Sequence, residues 1–138
     1  MTIDIARVII DFGAVVLIWM VQLVVYPSFT YFQKKELMDW HLLYTNRITY
    51  IVAPIMFIQS GVITYQSWIH FSILNGISVL ICLSLWLFTF LEAVPLHHQI
   101  DLGNEVERSA KKLVQINKKR AALWTILFII SLGQLVLV

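Results

Sequence analysis

Residues 48–91 read ITYIVAPIMFIQSGVITYQSWIHFSILNGISVLICLSLWLFTFL, and none of these 44 positions is Asp, Glu, Lys or Arg. As one straight helix the run would be about 66 Å long, roughly twice what a single hydrocarbon crossing needs. It therefore predicts two crossings joined by a turn. The polar and aromatic patch Gln66-Ser67-Trp68-Ile69-His70-Phe71-Ser72, followed by Asn75-Gly76, is where an interface turn fits. Working outward, residues 12–33 form another uncharged run upstream, and residues 121–138 a third downstream, extended by a helical pattern that begins near Val106. Four spans follow, at roughly 6–28, 41–67, 73–95 and 108–137. Continuous apolar runs without period-two alternation favour helices over strands. The expected fold is all-α: one integral membrane domain over 1–138, a four-helix bundle of up-down topology. Pro54 falls inside the second span, Tyr26-Pro27 closes the first, and Pro95 is expected to stop the third.

Composition agrees. Of 138 residues, 59% are hydrophobic and 13% charged, with mean hydropathy +0.81, far from the about 25% charged residues of a soluble domain. Disorder and a disulfide scaffold are excluded, the latter because Cys82 is the only cysteine. Asp4 and Asp11 interrupt the first apolar run and no small-residue cleavage site follows it, so that span is expected to be retained.

The charges divide unevenly. Lys34, Lys35, Arg47, Arg108, Lys111, Lys112, Lys118, Lys119 and Arg120 fall at one end of the predicted bundle, whereas Arg7 alone lies at the end holding both termini. Nine against one predicts basic loops in the cytoplasm and both termini outside, in a multi-pass protein of the cell membrane. The basic residues then serve topology and anionic headgroups, and nucleic acid is not an expected partner.

Stacking the spans gathers polar residues at the basic end. The first brings Trp19, Gln22 and Tyr26, spaced i, i+3, i+7; the second His41, Tyr44 and Arg47; the third Glu92 and His97-His98; the fourth Asn117, Arg120 and Trp124, again i, i+3, i+7. The other half of the bundle shows little comparable chemistry. Polar groups are costly against lipid and are expected to face inward, with Glu92 paired to Arg47 or Arg120. His41, Tyr44 and Arg120 are the candidates for catalysis, His41 as the base because imidazole titrates near neutrality. Gln22, Tyr26, Arg47, Glu92, Asn117 and Trp124 are the candidates for binding. A transition metal or haem held by His41 and His97 or His98 is the alternative, although no HxxxH or ExxH pair puts two ligands on one helical face. No cofactor is favoured.

The strings Trp19-Met-Val-Gln-Leu-Val-Val-Tyr-Pro27, Trp40-His41, Arg47-Ile48, Pro54-Ile-Met56, Val94-Pro95-Leu96-His97 and the Asn117, Arg120, Trp124 stripe resemble a family of small four-span bacterial membrane proteins. That family is distantly similar to anthrone-oxygenase-like membrane proteins. The resemblance implies oxidation of polycyclic phenols without a dedicated redox cofactor, with the Pro95–His97 turn and the Asn117/Arg120/Trp124 stripe lining the site. The family pattern implies histidines at the positions held here by Val25 and Tyr44, so two of its candidate ligands are missing. The sequence thus points to a polar pocket that binds, and in an enzyme would oxidise, a lipophilic aromatic or quinone-like molecule. The rivals are a metal- or haem-binding membrane protein and a non-catalytic accessory subunit that meets a membrane partner or its own copies.

Overall fold

The structure is a computed structural model that describes residues 2–137. Four helices dominate it, each long and apolar enough to cross a membrane: α1, Thr2–Tyr31; α2, Lys34–Ile69; α3, Ile73–Asp101; α4, Val106–Val136. Among the described residues there is no strand. The fold is all-helical and supports a multi-pass membrane protein.

Neighbouring helices are antiparallel. Arg7 near the start of α1 bonds Gln66 near the end of α2, and Asn75 at the start of α3 bonds Gln134 near the end of α4. Around the bundle α1 packs on α2 and α4, and α3 packs on the same two from the far side. The outer surface is apolar: Ile9, Leu23, Val24, Phe57, Leu80, Leu87, Phe90 and Ile129 are all exposed. A solvated bundle would aggregate through such a surface, whereas hydrocarbon covers it without cost.

The turn between α2 and α3 lies at residues 70–72, within the patch named from sequence. Ser72 caps α3 by accepting the Asn75 N–H at 3.1 Å, and the Asn75 amide donates to the His70 carbonyl at 2.7 Å. Elsewhere the helices outrun the expected spans. α2 starts at Lys34 rather than 41, because its first turns project past the apolar run. α3 continues to Asp101, correcting the expected stop at Pro95, and α1 likewise passes Pro27.

Both prolines are absorbed the same way. A proline ring clashes with the carbonyl four residues back and offers no N–H. Here Val21–Val25 and Thr89–Ala93 are π-helical, one wide turn directly ahead of Tyr26-Pro27 and of Val94-Pro95. The Tyr26 N–H bonds the Val21 carbonyl and the Val94 N–H the Thr89 carbonyl, each five residues back, which opens room for the ring. The helix therefore continues, rotated by about 100° relative to an uninterrupted one.

Candidate functional site

Those two wide turns set the direction of Tyr26 and His97, which meet across the interior from diagonally opposite helices. The Tyr26 hydroxyl and His97 Nε2 are 3.0 Å apart, His97 Nδ1 and His41 Nε2 2.8 Å, and His41 Nδ1 and the Asp101 carboxylate 2.6 Å. Tautomers follow by elimination when both rings are neutral. An ionised carboxylate only accepts, so His41 Nδ1 carries the proton and donates to Asp101. His41 Nε2 is then an acceptor, His97 Nδ1–H donates to it, and His97 Nε2 accepts from the Tyr26 hydroxyl. Every donation points from Tyr26 toward Asp101.

Local sequence fixes that last residue. Asp101 is the final residue of α3, which ends in a cap built on Gly103: Gly103 N–H bonds the Ile100 carbonyl and Asn104 N–H the Gln99 carbonyl. Gly103 has φ +71°, and a Cβ there would lie 3.0 Å from the Met38 side chain. A carboxylate at a helix C-terminus opposes the helix dipole. Asp101 tolerates that position because His41 faces it, and its side chain remains 26% exposed while that of His41 is 0%.

Beside this chain lies a cavity of about 520 Å³, in the range of small-molecule sites. Its walls are mostly apolar, among them Leu17, Ile18, Val52, Met56, Trp86 and Phe90; its polar end holds Tyr26, Tyr44, His97, Asp101 and Arg120. α2 and α3 touch through Ser60 and Trp86, whose indole N–H donates to the Ser60 hydroxyl, and again through His41 and His97. Between those contacts the cavity is lined by the exposed Thr49, Phe90 and Val94, so it opens sideways on the apolar flank of the bundle.

Arg120 is the chemically unusual lining residue. It is 6% exposed, its Nη1 donates to the Asn117 side-chain oxygen at 3.3 Å, and its Nε is buried with no partner. Among the described residues no carboxylate pairs with it. Asn117 is held in turn by Gln22, and the Arg120 guanidinium lies 5.2 Å from the centre of the Trp124 ring. The polar end of the cavity thus holds a cation that no carboxylate pairs with among the described residues, beside two phenols, an imidazole and an Asp101 carboxylate held by His41.

The sequence-derived candidates separate into groups. Tyr26, Tyr44, Arg120 and Trp124 line the cavity; Gln22 and Asn117 are buried behind Arg120; His41 is buried behind His97. His98 turns to an exposed position at the rim. Of the alternative metal set only His41 and His97 come together, and among the described residues no three His, Cys, Asp or Glu converge on a point that an ion could occupy. The expected pairing of Glu92 with Arg47 or Arg120 does not form. Arg47 is exposed, because it follows His41 by six positions and so lies about 120° around α2. Glu92 sits in the π turn of α3, lines no part of the cavity, and keeps a buried Oε2 without a partner.

Asp101 was not among the sequence candidates, since the third span was expected to end at Pro95. A second omission is larger. The termini end, expected to hold little polar chemistry, contains a buried network. Arg7 Nε donates to Asp11 at 2.8 Å and its Nη1 to Gln66 at 2.7 Å; the Gln59 amide donates to Asp11 at 2.6 Å; the Trp124 indole N–H donates to Gln59 at 2.9 Å; Gln66 donates to Asp4 at 2.8 Å. The signal was present as Arg7 and Asp11 at i, i+4 and Gln59 and Gln66 at i, i+7, each pair on one helical face.

No family model, curated protein or solved structure matches this chain.

Proposed function

We propose that this protein binds a lipophilic phenol- or quinone-like molecule that enters the cavity from the bilayer between α2 and α3. The observation that carries this reading is Arg120, a buried cation without a carboxylate, at the polar end of an otherwise apolar cavity with a lateral mouth. An uncompensated interior charge is expensive, and a phenolate or a polarised carbonyl oxygen would relieve it while the ring system fills the space among Leu17, Met56, Trp86 and Phe90. Tyr44 can donate a hydrogen bond to the same oxygen, and Tyr26, whose proton goes to His97, can accept one from a ligand hydroxyl. The Tyr26-Pro27, Trp40-His41 and Pro95–His97 segments resemble a small four-span membrane family that is itself distantly similar to anthrone-oxygenase-like proteins, and this favours the same class of molecule. In this reading the basic end faces the cytoplasm, as the nine-to-one charge bias favours.

Trp86 and Trp124 line the cavity, so their fluorescence reports occupancy. Titrating the detergent-solubilised protein with a naphthoquinone should give saturable quenching, and Ala53→Trp, which puts a large side chain on the cavity wall, should abolish it. Linear, unsaturable quenching in both proteins defeats the proposal. Oxidation is the catalytic extension: a bound hydroxyanthracene would give electrons to dioxygen, read as dioxygen uptake. Binding without uptake leaves a carrier or sensor in place of an oxidase.

A further inference from the structure

We infer that binding at this site is coupled to proton release at the basic end of the bundle, through Tyr26, His97, His41 and Asp101. The inference rests on the binding reading above and adds the fate of the ligand's proton. The titratable and charged groups that face the cavity or stand directly behind it are Tyr26 from α1, His41 and Tyr44 from α2, His97, His98 and Asp101 from α3, and Arg120 from α4. Arg120 favours an anionic occupant, so a phenol bound there gives up its proton. A proton moving toward the lateral mouth meets hydrocarbon. Along the hydrogen-bonded chain it meets three successive contacts of 3.0, 2.8 and 2.6 Å, all donating in one direction.

The shifts balance. The ligand O–H bond breaks and its proton goes to the Tyr26 oxygen, while the Tyr26 proton moves to His97 Nε2. The proton on His97 Nδ1 moves to His41 Nε2, and the proton on His41 Nδ1 moves to Asp101. The ligand becomes a phenolate beside Arg120, both imidazoles remain neutral in the other tautomer, and Asp101 becomes a carboxylic acid. Because Asp101 is partly exposed whereas His41 is sealed, it is the member of the chain that exchanges its proton with water. Reversing the same shifts returns the proton when the phenol leaves. Asp101 also lines the cavity, but its hydrogen-bonded route to the ligand runs through His41, His97 and Tyr26.

The test uses two probes, 1-naphthol and 1-methoxynaphthalene, which fill the same space but only one of which has a proton to lose. Affinity is read by tryptophan quenching, the ionised state of bound naphthol by its absorption, and proton release with a pH indicator in weakly buffered detergent solution. The unaltered protein should bind naphthol as the phenolate and release close to one proton for each molecule bound. In Asp101→Asn the ratio of naphthol affinity to ether affinity should fall by roughly tenfold or more, the loss expected when a charge-assisted acceptor is removed. Proton release should fall with it, and Asp101→Glu should restore both in part. Tyr26→Phe, which keeps the ring, should show the same selective loss and stands in if Asp101→Asn fails to fold. Equal weakening of both probes, or unchanged proton release in these variants, overturns the relay while leaving the binding site intact. Failure of both probes to bind the unaltered protein overturns the site itself.

Discussion

Two buried polar clusters occupy opposite ends of this bundle, and they differ in what surrounds them. At the termini end Arg7 and Asp11 are both 0% exposed, charge matches charge, and Gln59 and Gln66 add hydrogen bonds against packed helices, although Arg7 Nη2 keeps no partner. At the basic end Tyr26, His97 and Arg120 border open space, and among the described residues no carboxylate forms an ion pair with Arg120, the nearby Asp101 being held by His41. Both clusters satisfy the demand that polar groups leave the hydrocarbon. The first does so by pairing internally and so fixes α1 against α2. The second is left without an ion pair, and that is the ground on which a ligand is proposed there. A buried ion pair is therefore informative about assembly, and a buried lone cation about binding.

The largest effect should come from breaking the closed cluster. Asp11→Ala leaves the Arg7 charge unpaired in the interior and should cost about 3–5 kcal/mol of stability, measured by denaturant or thermal unfolding in detergent. The double replacement Arg7→Leu/Asp11→Leu should recover most of that loss, since apolar residues of similar size need no partner. If Asp11→Ala were as stable as the parent, the contrast between the two ends would collapse.

Next in size is Gln59→Leu, which strips Asp11 and the Trp124 indole of a partner and should cost about 1–3 kcal/mol. Gly103→Ala ranks similarly at about 1–2 kcal/mol, because φ +71° strains any other residue and the added Cβ presses on Met38. It should also weaken the proton coupling, since the cap places Asp101. At the open end, Arg120→Met should change stability little or raise it while removing naphthoquinone quenching, the opposite signature to Asp11→Ala. Arg47→Ala, on the exposed face, should shift stability by less than about 0.5 kcal/mol and leave quenching untouched.

The sequence made the spans readable because a charge inside hydrocarbon is so costly that its absence over residues 48–91 leaves few alternatives. The same logic placed Gln22, Tyr26, His41, Asn117 and Arg120 at one level of the bundle. It misled at the other end: Arg7 was counted as a topology signal and Asp11 as an interruption of the apolar run, when together they cancel. Charge counting takes residues singly, whereas i, i+4 spacing takes them in pairs. The course of α1 and α3 past Pro27 and Pro95 was not readable, because proline ends a helix or widens it according to whether neighbouring helices hold the chain in line. That single ambiguity hid Asp101, which lies beyond the expected end of its span.

The paired wide turns have an implication for comparing related chains. Each is in effect one inserted residue that makes room for the proline behind it, so deleting any one position in 21–25 or 89–93 would remove that residue and turn the helix segments on either side by about 100° relative to each other. The hydropathy profile would barely change, yet Tyr26 or His97 would swing away from its partner. Two homologues aligned with a one-residue gap there would share a silhouette and not a chemistry, and that gap would tell more about their activity than the identity of most of the residues around it.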